Sequence, residues 1–292
     1  MRRLRDLRVR MYCQSGGGNG ESGAVGLRNL RLWRRVVQLT AAGLMTAPGW
    51  WPDNPVWLGT YISSRFCGIA LTDPLAALEV AIAGKAVVWP LLWSAVPLIL
   101  AAAVLGRIFC GWICPLNTAF EIAGSFRRKP QRALAGNWQP YWLLGGFLTA
   151  SALIGLPVFT LISPIGILSR TIAFGAGFEA VFVVFLVCLE LWYSRKAWCK
   201  KVCPVGALYG LLSRFRRCRI SLDTARCTRC GACYAACGMG VDIGSPGKLA
   251  VMNCSNCGDC IAACPEHAVS YQWIKRRKGG AAKHEPFESH SR

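Results

Sequence analysis

Acidic residues are scarce in this chain: 14 Asp and Glu stand against 34 Lys and Arg, giving a formal net charge of +20 over 292 residues. Yet 53% of the residues are apolar, a combination that a soluble domain rarely carries. Charge is missing locally as well, since Ala86 to Leu105 runs for 20 residues without a charged side chain. Strong basicity elsewhere suggests nucleic-acid binding, but no folded basic domain remains once the apolar runs are set aside, so no nucleic-acid partner is expected. A catalytic acid–base pair, an activated nucleophile and a nicotinamide-binding glycine loop are also absent. The chain therefore does not read as a stand-alone enzyme. The first apolar run lacks a small-residue cleavage site and is followed by Trp50-Trp51-Pro52, which argues against a cleaved signal peptide.

What is present is segregated. Apolar runs at about 36–51, 86–105, 141–163 and 171–194 alternate with basic blocks, and about 20 apolar residues are enough to cross a hydrocarbon core. Tyr141-Trp142 and Trp192-Tyr193 lie at run ends, where interfacial aromatics belong. The expected fold class is an α-helical membrane protein with about four transmembrane helices, followed by a C-terminal α+β di-cluster ferredoxin-like domain. Residues 52–85 read as an extracytoplasmic loop with an interfacial helix at Ala76 to Ala83. Glu179 and Glu190, near the ends of the last run, read as interfacial or snorkelling carboxylates. Of the 34 Lys and Arg, 31 fall in 1–35, 106–140 and 195–292. The positive-inside rule then puts both termini on the cytoplasmic side of the membrane. The expected domains are a basic arm (1–35), a transmembrane domain (36–194), a linker (195–217), a ferredoxin-like domain (218–273) and a disordered tail (274–292).

Sixteen cysteines in a chain this long and apolar do not make a small disulfide scaffold. Eight follow another rule. Cys227-x2-Cys230-x2-Cys233-x3-Cys237 recurs as Cys254-x2-Cys257-x2-Cys260-x3-Cys264, followed by Pro265. This spacing wraps three thiolates around one cubane and sends the fourth to the other. Cys227, Cys230, Cys233 and Cys264 are thus expected to hold one [4Fe–4S] cluster. Cys254, Cys257, Cys260 and Cys237 are expected to hold the second. Gly231 and Gly258 fall where the backbone must approach the sulfides. A zinc reading is weaker, because zinc takes four ligands, usually as two separated pairs. One departure stands out: Gly238 replaces the proline expected after Cys237. Thiolates of this kind are loaded reduced, which again favours the cytoplasm.

A second repeat pairs Phe109-Cys110-Gly111-Trp112-Ile113-Cys114-Pro115 with Trp198-Cys199-Lys200-Lys201-Val202-Cys203-Pro204. The i, i+4 spacing places both sulfurs of each copy on one helix face. Cys110, Cys114, Cys199 and Cys203 are expected to form one redox or metal site. Whether they bind a metal, cycle as dithiols or dock a partner stays open at this level. Asp73 is a candidate for handling quinol protons. Cys13, Cys67, Cys188 and Cys218 fall in no pattern.

Taken together these motifs resemble the ferredoxin-type membrane proteins of the NapH/MauN group. The resemblance runs from about Arg34 to Trp273. It is carried by Leu71-Thr72-Asp73-Pro74-Leu75, Phe109 to Asn117, Ser163-Pro164-Ile165-Gly166, Trp198-Cys199, Val202 to Gly210 and the two cluster runs. It implies four membrane helices, a cytoplasmic di-cluster domain and electron transfer between the quinone pool and a periplasmic redox system. NapH-like proteins serve nitrate respiration and MauN-like proteins serve methylamine utilisation. The implied partners are the lipid bilayer, the quinone pool and another iron–sulfur or cytochrome protein. A maturation factor for a periplasmic enzyme and a membrane-bound redox sensor are the alternatives. Gly238 and the long basic arm depart from the NapH pattern.

Overall fold

The computed structural model describes residues 30–43, 57–59, 63–66, 69–125, 138–174, 177–193, 195–243 and 252–273, apart from Arg31 and Glu179. Most of the basic arm, the tail 274–292, Cys13, Cys67 and Glu179 lie outside them. Residues 32–43 form a helix, α1. Strands β1 (Trp57–Gly59), β2 (Ser63–Phe66) and β3 (Ile69–Thr72) follow as an antiparallel meander. Its last strand feeds α2 (Pro74–Ala83). Asp73 starts that helix: its carboxylate accepts from the N–H groups of Leu75 (3.2 Å) and Ala76 (3.3 Å), and proline fills the first helical position. Both devices satisfy or remove orphan donors at a helix start.

Helices α3 (Trp89–Leu105), α4 (Pro115–Ser125), α5 (Gln139–Ile154), α6 (Val158–Ile162), α7 (Pro164–Phe174) and α8 (Ala180–Trp192) come from the apolar half. The expected four membrane crossings are not found. Among the described residues no helix is long and apolar enough to cross a membrane. The cause is punctuation within the runs. Helix α3 has 17 residues and ends at Gly106, held at φ +80°. Helix α5 stops after 16 residues at left-handed Gly155, and Pro157 separates it from the five-residue α6. Helix α8 has only 13 residues. At 1.5 Å per residue the longest spans about 25 Å, short of the roughly 30 Å hydrocarbon core. The architecture is helical with two small sheets.

Helix α2 is not interfacial either. Leu75, Ala77 and Glu79 are among the most buried residues, and the helix packs on α3 and α5. Glu79 accepts from Phe159 N (3.1 Å), Thr160 N (2.9 Å), Thr160 Oγ1 (2.6 Å) and Ser151 Oγ (3.4 Å). It thereby supplies the acceptor for the uncapped start of α6. Glu190 is likewise buried rather than interfacial, and accepts from Trp198 N at 2.9 Å.

Two apolar clusters hold the helices together. Leu116, Phe120, Ile165, Val183 and Leu186 join α4, α7 and α8. Leu75, Ala102, Leu144, Phe159 and Tyr209 join α2, α3, α5, α6 and α10 (Pro204–Leu212). Phe109 and Trp198, one from each Cys-x3-Cys-Pro element, pack against both clusters. Phe109 also stacks on fully buried Tyr209, centroids 5.7 Å apart, a contact worth about 1 kcal/mol beyond its buried area. The residues expected as a linker after the last run form α9 (Ala197–Lys201) and α10 within this core.

The C-terminal unit is closed by β4 (Cys218–Leu222) pairing antiparallel with β5 (Val269–Trp273), from Cys218 opposite Trp273 to Leu222 opposite Val269. Between them lie both cluster loops and two short helices, α11 (Ala232–Ala236) and α12 (Asp259–Ala262). The unit is tied to the end of α3: Arg217 N donates to Val104 O (2.9 Å) and Asn256 Nδ2 to Leu105 O (2.7 Å).

Candidate cluster sites

The two cluster runs fold alike, residue for residue. In each loop the residue after next from the first cysteine is left-handed (Arg229, φ +57°; Asn256, φ +50°). The glycine two further on is left-handed too and begins the short helix (Gly231, φ +75°; Gly258, φ +78°). Glycine takes that conformation without strain. At the fourth cysteine the likeness continues. Cys237 Sγ accepts from Val241 N and Cys264 Sγ from Ala268 N, both at 3.3 Å. Backbone N–H bonds to sulfur stabilise a thiolate or a cluster ligand.

The first set converges on one place. Cys227, Cys230, Cys233 and Cys264 all line a single open cleft of about 290 Å³. Cys233, whose thiol burial pushes up, sits in the fields of Cys264, Cys230 and Cys227. In the second set Cys260, also pushed up by burial, sits in the fields of Cys257, Cys254 and Cys237. Cys264 thus lies on the cleft of the first three cysteines of the other run, and Cys237 is among the groups whose charge acts on Cys260. The first set's shared cleft fits a cubane bound by four thiolates, and the second set repeats its backbone geometry. Among the described residues no three Cys, His, Asp or Glu side chains stand close enough to share one metal ion.

The second loop is held by side chains from the helical half. Arg34 Nη1 donates to Cys257 O (3.2 Å) and pairs with Asp259 (3.1 Å), while its Nη2 pairs with Glu121 (2.8 Å). Lys196 Nζ meets the other Glu121 oxygen at 2.9 Å. Trp112 Nε1 and Tyr271 Oη both donate to Asn256 O (3.1 and 2.8 Å), Arg107 Nη1 to Asn253 Oδ1 (3.1 Å) and Arg216 Nη1 to Cys254 O (3.4 Å). Burial opposes ionisation of Asp259, but Arg34 and Lys196 outweigh it and hold that carboxyl below its usual range. Burial pushes the Cys257 thiol up to about 12, with Asp259 adding to it and Lys196 and Arg34 acting the other way.

Gly238 now has a physical account. A Cβ there would stand 2.9 Å from Lys196 Cε and 3.1 Å from its Cδ. The position normally held by proline is left bare so that the buried lysine can reach Glu121. The sequence reading missed Arg34, Arg107, Glu121 and Lys196, because charged residues far apart in the chain carry no spacing signal. A lone acid within a basic segment, Glu121, was the one available hint.

The Cys-x3-Cys-Pro cysteines also come together. Cys110 lies in a π-helical turn, Phe109–Ile113, and Cys114 ends it. Cys199 lies in α9 and Cys203 caps α10. Pro115 and Pro204 open the following helices rather than ending the preceding ones. All four cysteines line one small cavity. Burial raises all four thiols, Cys203 to about 12. Asp73 is next to this group. Burial lifts its carboxyl to about 6, and Tyr209 Oη donates to it at 3.2 Å. The small cavity that Asp73 lines shares Phe109, Ile165 and Val205 with the cysteine cavity. Cys188 is exposed and Cys218 lies in β4, apart from both sets.

Two ferredoxin-type loops of matching backbone on a shared scaffold, the first set of four cysteines bordering one cleft, define an iron–sulfur electron-transfer protein. Comparison with known families agrees. Residues 219–265 match a 4Fe–4S dicluster domain, and residues 86–133 and 176–222 match a 4Fe–4S binding domain. The chain is 36% identical to the methylamine utilization ferredoxin-type protein MauN of Paracoccus denitrificans, over 70% of this chain and 75% of that one. It is 33% identical to the ferredoxin-type protein NapH of Escherichia coli, over 70% and 73%. A second MauN, from Methylorubrum extorquens, is 34% identical over 73% and 77%. The chain belongs to the NapH/MauN family of ferredoxin-type proteins. No solved structure matches it.

Proposed function

We propose that the chain relays electrons between quinol and a partner redox protein at the bacterial inner membrane. Cys227, Cys230, Cys233 and Cys264 hold one [4Fe–4S] cluster, and Cys254, Cys257, Cys260 and Cys237 hold a second. The observation that carries this reading is the pairing of one open and one enclosed cysteine set. The first borders a cleft that a partner can approach, and the second is fastened to the helical core. Potentials of such clusters are set by nearby charge, hydrogen bonds to sulfur and exposure, and the two sites differ in nearby charge and in exposure.

The membrane location is supported by outward apolar side chains on the core helices, such as Trp93, Trp142, Leu153 and Val184. The need to load cluster thiolates in the reduced state supports a cytoplasmic cluster domain. Methylamine utilisation, named in the MauN relatives, is the partner system we put first. Nitrate respiration is the system implied by the NapH resemblance. The partner is another iron–sulfur or cytochrome protein.

The test is anaerobic. Vesicles containing the chain receive a quinol, and the visible iron–sulfur absorbance is followed. Bleaching by quinol, with the protein sedimenting with the membrane fraction, is the expected result. Bleaching by dithionite but not by quinol would remove the quinol link and favour a maturation role.

A further inference from the structure

The end of α3 borders a basic cleft that the cysteine sites do not use. Arg217 N donates to Val104 O at 2.9 Å, which lays the turn after α10 against the last turn of α3. Arg214, Arg216, Arg217 and Arg219 thereby line one cleft of about 310 Å³, together with Ala103, Val104 and Phe215. That volume is within the range of small-ligand sites. No carboxylate lines the cleft. Among the described residues none of the four guanidinium groups forms an ion pair. Like charges gathered in one concave site repel one another and concentrate anions there.

Two buried donors point to a missing acceptor. Arg216, only 5% exposed, spends its Nη1 on Cys254 O, but its Nε is buried without a hydrogen-bond partner. The Nε of Arg219 is in the same condition. Arg216 is also packed in place, since a Cβ on Gly106 would stand 3.1 Å from its Cδ. Burial and the neighbouring Arg216 both hold the Arg219 guanidinium below its usual range. Unmatched buried donors are rare and call for an explanation such as an ion. Phosphate oxygens match the planar fork of a guanidinium group. The surface beside the cleft is apolar. Leu100 and Val104, one turn apart on α3, are exposed, as are Leu211 and Phe215. Unneutralised cations adjoining exposed apolar side chains suit an anion that carries hydrocarbon better than a free phosphate or an acidic protein surface.

We propose that this cleft binds an acidic phospholipid, its phosphate received by Arg214, Arg216, Arg217 and Arg219 and its acyl chains lying along Leu100, Val104 and Phe215. The inference rests on the membrane location in the electron-relay reading and adds a lipid of defined charge to it. The bound lipid joins the bilayer to the cluster domain. Arg216 holds the backbone of the enclosed cysteine loop at Cys254, and Arg219 lies in β4, which closes that domain.

The test uses full-length protein, purified anaerobically in neutral detergent and stripped of lipid. Its melting temperature is followed as phosphatidylglycerol, phosphatidylcholine with the same acyl chains, inorganic phosphate or polyglutamate is added. Phosphatidylglycerol should raise it at the lowest concentration, and the other three should do little there. The Arg217→Gln, Arg219→Gln double variant should need about tenfold more phosphatidylglycerol, as loss of charge-assisted hydrogen bonds implies. A control with the same loss of charge elsewhere, Lys201→Gln with Arg226→Gln, should respond as the wild type does. An equal response to phosphatidylcholine, to phosphate or to polyglutamate overturns the proposal in favour of chain burial, a free anion or an acidic protein surface respectively. An equal loss in the control overturns it too, since the attraction would then belong to the whole basic chain. Each of these leaves the relay reading standing, whereas protein absent from the membrane fraction overturns both. The wild-type lipid series needs no variant to fold, so it decides the matter even if the double variant does not.

Discussion

The Cys227–Cys233 loop borders an open cleft of about 290 Å³. The Cys254–Cys260 loop, with the same spacing and the same left-handed positions, is enclosed by Arg34, Arg107, Trp112, Lys196 and Arg216 from outside the cysteine runs. One sequence pattern has thus been placed in two electrostatic settings. Near the outer set stand Asp242, Glu266 and Arg229 on the cleft wall. Around the inner set cations outnumber the two acids, Glu121 and Asp259. The lesson is that the pattern defines the cluster cradle, while residues distant in the chain define the cradle's surroundings.

The comparison breaks most severely at Glu121. This carboxylate is nearly buried between Arg34, Arg35 and Lys196. Removing one partner of a buried ion pair strands the others and costs about 3–5 kcal/mol. Glu121→Ala should lower the anaerobic melting temperature accordingly. It should also disturb the inner cluster's EPR signal while sparing the outer one. A loss under about 1 kcal/mol would show these charges to be solvated and incidental.

A smaller effect is expected at Gly238. Introducing a methyl group there pushes on the buried Lys196 chain at 2.9 Å, and overpacking of this kind costs about 1–3 kcal/mol. Gly238→Ala should therefore be destabilising, and the added substitution Lys196→Ala should remove most of the penalty of the methyl group. If Gly238→Ala is neutral, the absent proline has some other cause. Pro265, which follows Cys264, lines the outer cleft, where no lysine is among the lining residues.

The cluster motifs were legible because spacing within one loop is a local property. Positive φ at Gly231 and Gly258 could be anticipated for the same reason. The convergence of Cys110, Cys114, Cys199 and Cys203 was legible from their repetition. The helix lengths were not. Hydropathy counts apolar residues through Gly155 and Pro157, where the backbone stops, and through residues 86–88, which the helix from Trp89 leaves out, so long runs became helices too short to cross a membrane. Helix α2 was misread because alanine-rich, weakly patterned segments such as Pro74 to Ala83 look interfacial, while Asp73 and Glu79 give no sign in sequence of the buried donors they accept from. The Arg34–Glu121–Lys196 group joins positions 34, 121 and 196, and nothing local foretells it.

The crossing of the fourth cysteines is the central claim, and one measurement addresses it directly. EPR spectra of the reduced Cys230→Ser and Cys257→Ser variants give separate signatures for loss of the outer and inner clusters. The Cys264→Ser variant is then compared with both. The account predicts that it matches Cys230→Ser, because Cys264 lies with Cys227, Cys230 and Cys233 on the outer cleft. A Cys264→Ser spectrum that matches Cys257→Ser would contradict it, since each run would then serve its own cluster.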